Sequence, residues 1–360
     1  MDSLRIGLIA PPWFSVPPSG YGGVEWVVSV LADGLVARGH DVTLFASGGS
    51  QTTARLVSTY DEPPSAQLGD VYTEMPALLD AYAHWREFDV IHDHTILGLI
   101  AGANLPAPVV HTVHGQVLPS IHRLYEHTAG RVQLVAISQH QASTLPPACA
   151  TTVIHNGVDL GRFPFAAESR GDYLLFVGRA SPEKGIVAAI EIARRCDMPL
   201  VILAKVNEAP EQAYFEAVVK PALRGIRHEI FLNASHDMKI RAFQEAFATL
   251  FPIAWPEPFG LVMIESMACG TPVIAFRDGS VPEVIDDGRT GFVCDNVDEA
   301  VRAIERVPLL NRSDCRARVE ARFSAERNVD AHERLYRQVA AGGFLIEDAM
   351  REASETLRAG

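Results

Sequence analysis

The chain has 360 residues, 48% of them apolar and 21% charged, which excludes a single small module and a disordered chain and leads one to expect two domains of about 150 to 180 residues each. A formal net charge of −13 argues against a general nucleic-acid binder, because phosphate neutralisation needs a basic surface. Five scattered cysteines without a C-x-x-C spacing indicate neither a disulfide framework nor a zinc knuckle and fit a reducing compartment.

In chain order, Leu4 to Ala10 is a short apolar run, Pro11 to Gly23 a Pro/Gly-rich loop, and Val24 begins a helix whose Val24, Val27, Val28, Leu31 and Leu35 share one face. Gly39 sits where a left-handed helix cap is wanted, and Asp41 to Ala46 reads as the next strand. Such a β-α-β unit predicts a parallel sheet covered by helices on both faces. Further buried strands are expected at Phe88 to His92, Pro108 to His114 and Leu134 to Ile137. The turn Asn156-Gly157 and the segment Phe163-Pro164-Phe165 read as a linker, which divides the chain into residues 1–165 and 166–324. The pattern then restarts: a strand at Tyr173 to Val177, a loop at Gly178 to Gly185, a helix at Ile186 to Arg195 and a strand at Leu200 to Leu203. Strands follow at Glu229 to Leu232, Ala248 to Phe251 and Pro272 to Ala275, with helices near Met238 to Glu245, Leu261 to Cys269 and Asp298 to Val307. A helix is expected over about 325–342, and 343–360 reads as a tail or short helix.

No apolar run approaches the roughly 18 residues that span a bilayer, and the start Met1 to Arg5 lacks the regions of a signal peptide. The expectation is a cytoplasmic protein whose membrane contact is at most peripheral.

Paired doubly wound sheets place binding loops at the carboxyl ends of their strands. Ser19 to Gly23 leads from a strand into a helix, where a backbone can approach a phosphate. In Gly178 to Gly185, Arg179 offers a planar fork and Lys184 a mobile point charge, together able to neutralise a diphosphate without a metal ion. Trp255 to Glu265 is again a strand end entering a helix, with Glu257 before it and Glu265 inside it, and with free helix-start amides from Gly260 to Val262. Carboxylates accept from sugar hydroxyls.

Taken in order, Gly22-Gly23, Asn156 to Asp159, Gly178-Arg179 with Lys184-Gly185, the Glu257/Glu265 pair and Cys269 to Val273 resemble the retaining glycosyltransferases of family 4. The resemblance runs over roughly residues 4 to 340 and is most specific from Pro256 to Val293. It implies an α/β protein of GT-B fold, two Rossmann-like doubly wound domains facing across a deep cleft, with the helix at about 325–342 packing back on the first. The implied activity moves a hexose from a UDP- or GDP-sugar to an acceptor hydroxyl, with the anomeric configuration kept and with no cofactor or metal. By position, Arg179 and Lys184 match the diphosphate clamp, Glu257 and His114 the contacts to the donor sugar, and Glu265 the ribose ligand. Gly22, Gly23, Gly178, Phe259, Gly260, Leu261 and Val262 would line the donor, and Lys205 and Val206 would lie near its base. The acceptor, a carbohydrate, small molecule or lipid-linked glycan, would meet Tyr21, Glu25, His92 and His94 in the first domain.

Two rival readings stand beside this one. His92-Asp93-His94, with His111 and His114 nearby, suggests a metal-dependent hydrolase, although the known zinc spacings are absent. A non-catalytic nucleotide or sugar binder on the same scaffold is the other.

Overall fold

In the computed structural model, which describes residues 2–20, 22–168 and 171–342, the apolar runs pair into two parallel sheets. The expected tail at 343–360 lies outside the described residues. Among the described residues no helix is long and apolar enough to cross a membrane.

Among the described residues, the first unit comprises those up to Pro18, Gly22–Asn156 and those from Ala325 to Gly342. Its strands are β1 (Arg5–Ile9), β2 (Asp41–Ala46), β3 (Arg55–Ser58), β4 (Val90–Asp93), β5 (Val109–Val113), β6 (Gln133–Ala136) and β7 (Thr151–Val153). They lie in the order β3-β2-β1-β4-β5-β6-β7. The register sets Ile6 of β1 between Val42 of β2 and Val90 of β4. Side chains alternate across a strand, so Ile6 and Leu8 enter one core with Leu31, Leu35 and Tyr336, while Ile9 enters the other with Phe45, Leu78 and Tyr125. Both faces of the sheet are therefore buried, as a parallel sheet requires.

The helix Gly23–Ala37 follows β1 and buries Val27, Val28, Leu31 and Leu35. Gly39, at φ 85°, ends it in the left-handed region, with its amide bonded to Val36 O at 2.9 Å. The last described helix, Ala325–Ala340, belongs to this unit and adds Val329, Leu335, Tyr336 and Val339 to the core. Its close approach depends on Gly34, where a Cβ would collide with Val329.

The second unit contains Gly157–Ser324. Its strands β8 (Leu174–Arg179), β9 (Leu200–Lys205), β10 (His228–Leu232), β11 (Ala248–Phe251), β12 (Val273–Phe276) and β13 (Gly291–Cys294) run in the order β10-β9-β8-β11-β12-β13. In each sheet the order reverses beside the first strand, between β1 and β4 and between β8 and β11. At such a switch point the loops leaving the two strands diverge and open a crevice.

The division between units falls at Asn156–Gly157, ahead of the expected residue 165. The intervening segment is held by the second unit: Val158 donates to Phe323 O at 2.9 Å, and Arg316 Nη1 donates to Phe163 O at 2.7 Å. Three strands were not anticipated. β3 and β7 are half-buried edges without a continuous apolar run, and β13 is short and buried. The helix Val71–Ala83, with Pro76 inside it, was also absent from the expectation.

Candidate active site

The loops after β8 and β11 are sewn together. Ala254 N–H donates to Glu183 O at 2.9 Å, and Gly185, at φ 75°, lies so close to the Pro252 carbonyl that a Cβ would strike it. Arg179 closes β8 and donates from Nη2 to Glu183 Oε1 at 2.9 Å, an oxygen that also accepts from Ser181 Oγ at 2.7 Å. Burial works against ionisation of Glu183, yet the Ser181 hydroxyl and the Arg179 charge hold its carboxyl below the usual range. Arg179 Nε is buried and has no hydrogen-bond partner among the described residues.

Lys184 Nζ reaches across to Glu257 Oε2 at 2.5 Å. Trp255 Nε1 donates to the same oxygen at 2.8 Å, and the ammonium stands 4.7 Å from the Trp255 ring. Behind Glu257, Ser280 braces the loop twice: its N–H donates to Glu257 O at 3.0 Å and its Oγ to Phe259 O at 2.8 Å. Gly260, at φ 76°, turns the chain into the helix Leu261–Ala268, whose start carries no side-chain cap. Its leading amides can thus face an anion. Glu265, on that helix, is buried and accepts from Lys239 Nζ at 2.8 Å.

Lys205 is buried at the end of β9, with its ammonium 2.5 Å from Glu208 and 3.5 Å from Glu211. The Val206 amide faces Asn233 Oδ1 at 3.3 Å. Gly178, the last residue before Arg179, pairs with Ala204 of β9 and brings the two strand ends side by side.

In the first unit, Gly22 caps the helix Gly23–Ala37 at φ 148°, and a Cβ there would press on Glu25 and Pro18. Glu25 is buried in that first turn, and burial raises its carboxyl to about 7 against the opposing pull of a backbone hydrogen bond. Tyr21 lies outside the described residues. His94 Nδ1 and His114 Nε2 are 2.9 Å apart where β4 and β5 end, so one ring donates and the other accepts. Burial, with neighbouring imidazoles, pushes His94 well below its ordinary value and His114 down to about 3, which keeps both neutral.

His92 does not face an acceptor. It is fully buried, bonded through Nδ1 to Tyr336 Oη at 2.5 Å and through Nε2 to Thr112 Oγ1 at 2.7 Å. Both nitrogens of His92 and one of His94 are thus engaged within the unit. Among the described residues no group of three His, Cys, Asp or Glu side chains is arranged to hold a metal ion. Tyr336, Lys239 and Glu183 carry parts of these arrangements that were not anticipated. Glu183 stood within a motif, whereas Lys239 and Tyr336 left no local signal.

Comparison with known proteins agrees with this architecture. The model described as Glycosyltransferase Family 4 matches residues 21–162, and that described as Glycosyl transferases group 1 matches residues 160–322. The chain belongs to glycosyltransferase family 4 and is an enzyme of that class, built on the GT-B fold. It is 28% identical over 385 residues to the phosphatidyl-myo-inositol mannosyltransferase of Mycobacterium leprae, covering 96% of this chain and 100% of that one. It is 27% identical over 338 residues to the glycogen synthase of Mycobacterium tuberculosis, covering 77% and 80% of the two chains. Among solved structures, AviGT4, a glycosyltransferase involved in avilamycin A biosynthesis, superposes with a TM-score of 0.72 at 26% identity, over 94% of this chain and 98% of that one. An Anabaena protein solved with UDP-glucose shares the fold, with a TM-score of 0.72 at 20% identity over 92% and 99% of the two chains.

Proposed function

We propose that the enzyme transfers a hexose from a UDP- or GDP-sugar to an acceptor hydroxyl, keeping the anomeric configuration and using neither a metal ion nor a bound cofactor. The observation that carries this reading is the 2.5 Å pairing of Lys184 with Glu257 beside Arg179. It gathers two cations and a sugar-binding carboxylate on adjoining loops at the switch point of the second sheet. Arg179 and Lys184 neutralise the diphosphate, the amides of Phe259 to Val262 meet its oxygens, and Glu265 accepts from the ribose. Glu257 accepts from the hexose.

Transfer then needs no protein nucleophile. The bond from the anomeric carbon to the β-phosphate oxygen breaks, and the acceptor oxygen bonds to that carbon from the same face. The acceptor proton passes to the departing phosphate oxygen. The two cations stabilise the charge that grows on the diphosphate, so rate comes from preorganised electrostatics.

The test is thermal stabilisation by UDP, GDP and ADP, followed by the anomeric configuration of the product by NMR and by assay in a chelator. One nucleoside diphosphate at 100 times its Kd should add about 2.7 kcal/mol, with retained configuration and undiminished rate in chelator. Absence of stabilisation, or an inverted product, overturns the reading.

A further inference from the structure

Most of the large apolar side chains exposed among the described residues gather in one part of the first unit, between residues 68 and 121. The helix Val71–Ala83 buries Ala77, Leu78, Ala81 and Tyr82, yet it also carries Tyr72, Met75 and Leu79 in solvent, Tyr72 at 87% exposure. At 100° per residue these three fall within one narrow stripe beside the buried face, whereas Thr73 and Asp80 lie opposite it. An ordinary surface helix would put polar groups there.

The stripe is joined to the ends of β4 and β5. Glu74 Oε1 accepts from the Ile96 amide at 2.6 Å, and the Tyr82 hydroxyl reaches Gly98 O at 3.5 Å, which ties the helix to the loop that follows β4. That loop exposes Ile96, at 66%, and the helix Gly98–Gly102 after it exposes Ile100. The helices Gly98–Gly102 and His122–Thr128 pack on each other, and the loop after β5 adds the exposed Leu118. Ile96 is two residues beyond His94, and Leu118 four beyond His114, the two imidazoles 2.9 Å apart. Two of the exposed apolar residues thus follow closely, along the chain, on the members of the polar pair.

The charges show what covers it. The helix Val71–Ala83 has no Lys or Arg, and its carboxylates are Glu74, buried, and Asp80. That helix offers no cation to the phosphates of an anionic bilayer, which recruit basic residues; Arg123, on the neighbouring helix His122–Thr128, is the exposed Lys or Arg of that helix. The stripe suits an uncharged apolar group. Water-exposed surface of this kind marks a binding surface.

We propose that the acceptor is amphipathic: its hydroxyl end lies at the His94–His114 pair and its apolar chain or ring system lies along Tyr72, Met75, Leu79, Ile96, Ile100 and Leu118. This rests on the reading of the strand ends as the transfer site. It goes further by naming the acceptor class, a hydroxyl-bearing head on an uncharged apolar body.

The test uses the full chain with methyl and n-octyl β-D-glucoside, the latter below its micellar concentration, and reads affinity by calorimetry. Each fully buried methylene strengthens binding about fourfold, so even partial burial should favour the octyl compound by on the order of 10²-fold. The double variant Tyr72→Ser/Ile96→Ser should weaken octyl binding about tenfold, and its unfolding midpoint checks that it is folded. Equal affinity for the two glucosides, or octyl binding untouched by the variant, overturns the proposal. Self-association that the variant abolishes would assign the surface to a second copy, and flotation with neutral vesicles that the variant abolishes would assign it to a bilayer; either also overturns it. Stabilisation of the native chain by nucleoside diphosphates is read separately, so loss of the donor reading and loss of this one are distinguishable.

Discussion

Lys184 and Glu257, 73 residues apart in sequence, meet at 2.5 Å with both side chains largely withdrawn from water. A charge pair in that position is coupled, because removing either partner leaves the other poorly compensated. Lys184→Ala should lower turnover by on the order of 10²-fold, by analogy with loss of an oxyanion donor. Glu257→Ala should act mainly by raising the KM for the donor. The double variant should be little worse than Lys184→Ala. Initial rates at several donor concentrations check this, and losses that multiply would show the pair to be two independent groups.

Arg179 makes a narrower demand. Its Nη2 is engaged with Glu183, while its buried Nε has no hydrogen-bond partner among the described residues. A lysine keeps the charge but lacks the second donor and the planar fork. Arg179→Lys should therefore lose nearly as much turnover as Arg179→Ala, on the order of 10²-fold. Recovery of most of the rate in the lysine variant would reduce the role of Arg179 to a point charge.

Much of this site was legible because β8, β9 and β11 are continuous apolar runs, each followed by a loop rich in turn and charged residues. What stayed hidden was pairing at long range. His92 looked available on the end of a strand, yet its partner Tyr336 lies 244 residues away on the last described helix. Lys239 had no local signal because its partner Glu265 sits on a different helix. The edge strands β3 and β7 escaped notice for a related reason: half-buried strands need no continuous apolar run.

Acid should unfold the first unit through its buried imidazoles. Burial lowers His332 from 6.5 to about 4, against the weaker upward pull of its bond to Asn328 O. The folded state then excludes a proton that the unfolded chain accepts, so the contribution to stability is present above pH 6.5 and is lost as pH falls toward about 4. In that window each such group steepens stability by about 1.4 kcal/mol per pH unit. His332→Gln should remove one proton from the slope measured by denaturant unfolding at several pH values. An unchanged slope would mean that His332 does not titrate on unfolding.

Glu25 should do the reverse. Its folded value of about 7 exceeds the ordinary 4.5, so the folded state keeps a proton that the unfolded chain releases, and stability falls as pH rises from 4.5 to about 7. Glu25→Gln should gain stability relative to the native chain across that window and hold the difference above it. Unfolding midpoints at pH 5 and pH 8 check the sign; a variant relatively weaker at pH 8 contradicts it.

Gly279 bears on the site through backbone alone. It stands at φ 54°, and a Cβ there would run into the backbone N and O of Glu257. Gly279→Ala must push the loop after β11 away and strain the two bonds from Ser280 to Glu257 O and Phe259 O. Gly39→Ala is the matched control, because Gly39 is also at positive φ, 85°, but nothing lies within 4 Å of the added carbon. Both should lose on the order of 1 kcal/mol to the backbone conformation. Only Gly279→Ala should also raise the donor KM, by about tenfold, since displacement of a positioning loop near the chemistry is costly in rate and binding. Equal kinetic losses in the two variants would trace the effect to general destabilisation and leave the loop around Glu257 without a positioning role.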